Sequence, residues 1–206
     1  MRVLVVGGHS RNIGKTSLVV DLIRAFPEAA WTAVKITQYG HGVCSIHGEH
    51  CGCAPDEDTV ALDEEHDRNN RTDTSRFLVA GAARALWMRC KHGRLAEAMP
   101  QLRDALQGAG NVLLESNTVL HFIKPELYLV VLDPQQPDFK ESARFFLDRA
   151  DGFVLRTPFP AANWPSVSPR LLESKPAFYQ PLGGPLSPEL VEFVRRRFFD
   201  SVTLRS

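Results

Sequence analysis

The feature that most constrains this chain lies at its start, where Met1 to Phe26 run strand, glycine-bearing turn, helix. Val3 to Val6 form a continuous apolar run of the buried-strand kind. From Ser17 onward, Leu18, Val19, Leu22 and Ile23 recur on one side of a helix. Between the two stands Asn12-Ile13-Gly14-Lys15-Thr16-Ser17, the phosphate-gripping end of a P-loop. A glycine loop that feeds a helix N-terminus turns backbone N–H groups toward an anion. Lys15 is then expected to bridge the β and γ oxygens of a nucleotide, and Thr16 to offer its hydroxyl to Mg²⁺. Gly8, Asn12, Ile13, Gly14, Lys15, Thr16 and Ser17 are the expected nucleotide-binding residues. The spacing G-x-x-x-x-G-K-[ST] puts its first glycine where His9 stands, and Gly8 comes one residue earlier. The loop is therefore one residue longer than usual or begins on a non-glycine. A strand-to-helix turn without a ligand is the alternative.

Length and composition fit one enzyme-sized α/β domain. The 206 residues, 44% of them hydrophobic, are enough for a core. The 24 basic residues balance 24 acidic ones, so there is no electrostatic case for nucleic acid. No segment has the long apolar run of a membrane span, and the apolar N-terminus leads into Gly14-Lys15-Thr16 rather than a cleavage site, which makes the cytoplasm the expected compartment. Three of the 4 cysteines stand close together, as metal ligands do in a reducing compartment.

Strands and helices alternate along the rest of the chain. Trp31 to Thr37 reads as a second strand. Gln38 to Asn70 is polar and aperiodic, too long for an ordinary connection, so a functional insertion at about 38–72 is expected. Thr74 to Cys90 combines a short helix with a strand ending near Trp87. A helix follows over Leu95 to Leu106, with Pro100 kinking it or marking its start. Asn111 to Glu115, Leu127 to Leu132 and Gly152 to Leu155 are short buried strands, and Ser142 to Ala150 is helical in pattern. The order predicts a three-layer sandwich, a mostly parallel sheet with helices on both faces. The C-terminal part, about 157–206, is a proline-rich segment from Thr157 to Pro188, with one strand near Ala177 to Gln180, and then a helix. Ser187 as N-cap and Pro188 at the first helical position open a terminal helix with Leu190, Val191, Phe193, Val194 and Phe198 inward. Arg195 to Arg197 read as its solvated C-terminal end.

A second candidate site lies in the long insertion, where His41 to Cys53 hold three cysteines and three histidines. Thiolate and imidazole are the ligands Zn²⁺ takes tetrahedrally, and the glycines there let a short loop fold around an ion. The expected set is Cys44, Cys51 and Cys53 with either His47 or His50. A loop with incidental cysteines is the alternative. Cys90, after an apolar run, reads as a buried small side chain. The acidic residues Asp56 to Asp58, Asp63 to Glu65 and Asp67 read as a solvated, mobile face. Asp73, where order resumes, is set apart as a carboxylate able to return to the Mg²⁺ or its waters. Glu115 closes an apolar strand, and carboxyl ends of strands border the ligand crevice in an open α/β sheet. It is expected to hold a Mg²⁺-bound water or orient the attacking one. Ser116 and Asn117 are γ-phosphate sensors or turn formers.

Taken together, several elements resemble the MobB family, the molybdopterin-guanine dinucleotide biosynthesis adapter proteins of the SIMIBI class of P-loop NTPases. They are the Asn-x-Gly-Lys-Thr loop, a second strand ending in Lys35, a histidine-bearing loop, Asp73-Thr74-Ser75-Arg76 before Ala80-Gly81-Ala82, and the Leu-Leu-Glu strand end. The likeness spans about residues 3 to 120. It implies a nucleotide-binding dimer that assists guanylylation of a molybdenum cofactor, with a protein partner or homodimer and Mg²⁺ with ATP or GTP expected. The chain departs from the family in its long Cys/His stretch, in the P-loop spacing and in lacking an Asn-Lys-x-Asp guanine-reading pattern, with Arg156-Thr157 after the strand where many relatives carry it. Lys15, Glu115 and Asp73 are the expected catalytic residues. Three functions fit: a slow nucleoside triphosphatase acting as an adapter, a metal-handling NTPase in which the Cys/His loop carries an ion, and a small-molecule kinase. A structural zinc that staples the long loop is compatible with each.

Overall fold

The apolar run at the N-terminus is the central strand β1 (Arg2–Gly8), and its two faces are both covered. Leu4 and Val6 point into one core and Val3 and Val5 into the other, as the two-residue period of a strand requires. The computed structural model describes residues 1–40, 60–157 and 164–200. The proposed zinc ligands Cys44, His47, His50, Cys51 and Cys53 lie outside the described residues.

Eight strands form one sheet. After β1 come helix α1 (Lys15–Ala25), β2 (Thr32–Tyr39), β3 (Val60–Glu64), α2 (Asp73–Ala80), β4 (Arg84–Lys91), α3 (Leu95–Ala105), β5 (Asn111–Glu115) and β6 (Leu127–Leu132). Then follow α4 (Glu141–Phe145), β7 (Gly152–Leu155), α5 (Pro169–Glu173), β8 (Ala177–Tyr179) and α6 (Pro188–Val194), which continues as one wide-turned π segment, Arg195–Phe199. The strand order is β3-β4-β2-β5-β1-β6-β7-β8, with every pairing parallel except β3 against β4. Leu18 and Leu22 of α1, Phe77 of α2 and Leu190 of α6 cover one face. Leu95, Ala98 and Leu102 of α3, with Phe146 beyond α4, cover the other. This is the predicted three-layer α/β sandwich.

Two expectations need correction. The polar stretch after β2 is not wholly without regular structure, because Val60–Glu64 returns as an antiparallel edge strand. Asp56 to Asp58 lie outside the described residues, and Asp63 and Glu64 are exposed as expected, but these two and Glu65 are individually paired. Glu64 accepts two hydrogen bonds from Arg84, at 3.0 and 2.7 Å, and Asp63 pairs with Arg89. Glu65 accepts from the hydroxyls of Thr72 and Thr74 at 2.8 and 2.9 Å, tying the edge strand to the start of α2. These carboxylates are matched to cations or hydroxyls across the sheet edge, a pairing that local polarity does not reveal.

Pro100 lies inside α3 and does not end it. The helical pattern over Ser142 to Ala150 divides into α4 and one short turn, Leu147–Arg149. The terminal helix starts as read: Ser187 accepts from the Leu190 amide at 3.3 Å, with Pro188 next. The arginines after it are individually engaged. Arg197 pairs with Asp151 at 2.8 Å, Arg196 with Glu192 at 3.5 Å, and Arg195 lies over the Phe26 ring. Cys90 is buried, and desolvation pushes its thiol up to about 11, as suits a packing residue.

Candidate functional site

In this sheet, β1 feeds α1 and then β2 on one side, whereas β6 feeds β7 on the other. The carboxyl ends of β1, β5 and β6 therefore open on the crevice where the strand order divides, and the loop from Gly8 to Gly14 lies there. Gly14 is the N-cap of α1 and takes a left-handed conformation, φ +84°. Asn12 is also left-handed, at φ 55°, which asparagine tolerates. Gly14 is followed by Lys15 as the first helical residue, and the Leu18 amide donates to the Gly14 carbonyl at 3.0 Å.

The displaced glycine has a geometric explanation. A Cβ on Gly8 would lie 2.8 Å from Ile13 Cδ1 and 2.9 Å from Lys15 Cγ and Cδ, so the close approach that the loop demands falls at Gly8. His9 then turns its ring out of the loop into a pocket between Phe139, at 5.1 Å, and Trp164, at 4.8 Å. The ring is fully buried, its Nε2 lies 3.3 Å from the Gln136 carbonyl, and desolvation lowers its pKa, leaving it neutral. The loop is thus one residue longer, with an aromatic anchor at the extra position.

Two further residues shape the loop. Asn117, beyond the end of β5, clamps the Gly8 peptide: its Oδ1 accepts from the Gly8 amide and its Nδ2 donates to the Gly8 carbonyl, both at 2.9 Å. Reading this asparagine as a phosphate sensor or a turn former missed that role. Ser116 accepts from the Val119 amide at 3.3 Å and is a turn former. Arg156, at the end of β7, is buried beneath the other end of the loop. It donates to the carbonyls of Ile13 at 3.3 Å, of Gln180 at 2.9 Å, and of Gly14. A lone arginine after a strand carries no sequence signal for this.

The proposed chemical residues are brought together on the side of β5. Lys15 Nζ donates to the Ser10 carbonyl at 2.7 Å, and burial lowers its pKa, with Glu115 opposing the shift. Thr16 donates to Glu115 Oε2 at 2.8 Å. Glu115 is 7% exposed, and in the sheet it stands beside Lys35 of β2. Asp73, at the start of α2, is paired with Lys35 and, at 3.4 Å, with Arg76. It therefore joins the cluster through Lys35. Gly81, which the resemblance singles out, is the left-handed C-cap of α2 at φ +112°, with its amide on the Leu78 carbonyl. Its role here is to end a helix. Among the described residues there is no group of three or more His, Cys, Asp or Glu side chains able to hold a metal ion by themselves.

A parallel sheet whose central strand passes through a Gly-Lys-Thr loop into a helix defines the fold of the P-loop NTPases. The chain is similar in fold to HypB from Helicobacter pylori, a structure in complex with nickel, with a TM-score of 0.53 and 14% identity over 96% of this chain and 87% of that one. It also aligns with LpxK from Aquifex aeolicus in complex with ATP (TM-score 0.47, 16% identity, 87% and 53% of the chains). A third match is the signal recognition particle receptor FtsY from Elizabethkingia anophelis in complex with GDP (0.43, 15%, 96% and 64%). At such identities the likeness concerns the fold alone, and only the first is close enough to support an argument. No protein-family model matches the chain, and no curated protein sequence does. Among the described residues no helix is long and apolar enough to cross a membrane.

Proposed function

We propose that this protein binds ATP or GTP with Mg²⁺ and hydrolyses it slowly, as a MobB-like adapter whose nucleotide state gates a protein partner or its own dimerisation in the cytoplasm. The observation that carries the reading is the contact between Thr16 and Glu115, a hydroxyl and a carboxylate held together beside a lysine at the mouth of a P-loop. The donor set suits the group. Hydroxyl and carboxylate oxygens are what Mg²⁺ takes alongside phosphate oxygens and water. Gly8 lets the loop close on itself, since a Cβ there would collide with the Ile13 and Lys15 side chains.

In this reading Asn12 to Ser17 present amides to the phosphates, Gly8 closes the start of the loop with its own amide held by Asn117, and Lys15 leaves the Ser10 carbonyl for the β and γ oxygens. Thr16 and Glu115 hold the Mg²⁺, which supplies positive charge to the phosphoryl group. Glu115 also orients the attacking water. Asp73, held through Lys35, sets the charge on the β2 side of the cluster. Cys44, Cys51, Cys53 and one of His47 and His50 bind a zinc that closes the long insertion of a single 1–206 domain.

A second reading, a metal-handling NTPase, is favoured by one observation: six thiol and imidazole groups stand between His41 and Cys53 of a chain that shares its fold with the nickel-bound HypB. A thermal-shift panel with ATP, GTP, Mg²⁺ and Ni²⁺ tests the pair. Stabilisation by a magnesium nucleotide alone supports the adapter, whereas Ni²⁺ binding that responds to nucleotide supports metal handling. No stabilisation by either nucleotide contradicts both.

A further inference from the structure

The loop from β6 to α4 grips the P-loop with three consecutive residues, and the last of them leaves a cation without a counter-ion. Asp138 accepts from the Ser10 hydroxyl at 2.9 Å, Phe139 packs on the His9 ring, and the Lys140 amide donates to the His9 carbonyl at 2.8 Å. The backbone of Lys140 is therefore fixed against the start of the phosphate loop. Among the described residues its ammonium group makes no hydrogen bond or ion pair, although the side chain is half-buried.

Its charged surroundings make that more costly. Lys15 and Arg11 are both near enough to repel it, against partial compensation from Asp138 and Glu115, and burial with this repulsion pulls the amine down to about 8. A cation desolvated beside two other cations is unfavourable unless an anion joins them. The protein holds Lys140 there by backbone and aromatic contacts, so the missing partner is a ligand.

The position along the cradle says which part of a ligand. Lys140 is hydrogen-bonded to His9 and its neighbour Asp138 to Ser10, whose carbonyl holds the Lys15 ammonium assigned to the outer phosphates, whereas Arg156 lies at the opposite end of the loop, on the Ile13 and Gly14 carbonyls. We propose that Lys140 is a second phosphate-binding lysine, reaching the terminal phosphate of a bound nucleoside triphosphate and setting the preference for triphosphate over diphosphate. This rests on the nucleotide-binding reading above. Arg11, exposed beside it, adds long-range attraction.

The test is calorimetric titration of wild type, Lys140→Met, Lys140→Arg and Lys15→Ala with ATP, ADP, GTP and GDP in the presence of Mg²⁺. In Lys140→Met the affinity for the favoured triphosphate should fall about ten-fold or more while that for its diphosphate stays within about two-fold, the size expected for one charge-assisted phosphate contact. Lys140→Arg, which keeps the charge, should retain most of the preference and excludes misfolding as the cause. Unchanged triphosphate affinity in Lys140→Met, or an equal loss for triphosphate and diphosphate, overturns the assignment. The equal loss would mean that the lysine only supports the loop or serves an inner phosphate. If wild type binds no nucleotide, or Lys15→Ala binds as wild type does, the P-loop reading itself fails and takes this inference with it.

Discussion

Thr16 donates its hydroxyl to the Glu115 carboxylate at 2.8 Å, joining the first turn of α1 to the carboxyl end of β5. The two residues lie 99 positions apart in sequence and meet because β1 and β5 are parallel neighbours in register, Val6 beside Glu115. Their contact puts a hydroxyl and a carboxylate at one point of the crevice. Glu115→Gln keeps an acceptor for Thr16 and removes the charge. Nucleotide affinity should stay within about five-fold while the rate of phosphate release falls about 100-fold, the range for a lost catalytic carboxylate. Calorimetry and a phosphate-release assay check this; an unaltered rate would remove Glu115 from the chemistry.

Arg156 places its guanidinium on the carbonyls of Ile13, Gly14 and Gln180. Arg156→Met fills similar space and leaves three acceptors without their donor. Urea unfolding should show a loss of about 2 to 4 kcal/mol, as for other buried groups stripped of a charged partner. A loss below about 0.5 kcal/mol would show that water replaces the arginine without strain.

Lys140 makes the ligand-free protein less stable than it could be at neutral pH. Its amine titrates at about 8 in the folded chain against an ordinary 10.5, so between these values the unfolded chain holds more proton. The penalty is complete below about pH 8 and disappears as pH rises toward 10.5. Lys15, Arg11, Asp138 and Glu115 are the charges that act on it. Lys140→Met should therefore melt a few degrees higher than wild type at pH 7, about 2 to 4 °C for each 1 kcal/mol in a domain of this size, with the gap closing by pH 10. Equal midpoints at pH 7 would mean that the amine is fully solvated.

The cysteine-rich insertion should carry about one zinc per chain. Metal analysis of the purified protein checks the content, and Cys51→Ser with Cys53→Ser should abolish it. Absence of zinc both before and after reconstitution would remove the stapled loop.

What could be read in the sequence was whatever is local. The strand, Gly-Lys-Thr and helix of the first element, the Leu-Leu-Glu strand end and the Ser187-Pro188 cap are written in consecutive residues, and the structure has them. Missed features depend on pairing between distant segments. Asp63 and Glu64 look like free surface until β3 lies against Arg84 and Arg89. Asn117 looks like a turn residue until β5 is set beside β1 and its amide group faces Gly8. Arg156 and Lys140 follow the strands on the far side of β1, where no local periodicity marks them. The glycine one place early read as a flaw in the motif. Its cause is the burial of His9 between Phe139 and Trp164, more than a hundred residues further on.

The central claim is that the loop from Gly8 to Ser17 holds the phosphates of a magnesium nucleotide. The most direct measurement is calorimetric titration of wild type and Lys15→Ala with ATP and GTP in the presence of Mg²⁺, with circular dichroism confirming that both proteins are folded. Binding of at least one nucleotide by wild type, weakened about 100-fold or more in Lys15→Ala, is the predicted result, because one ammonium on two phosphate groups contributes on the order of 3 kcal/mol. Equal affinity in the folded variant, or no binding by wild type, would contradict it.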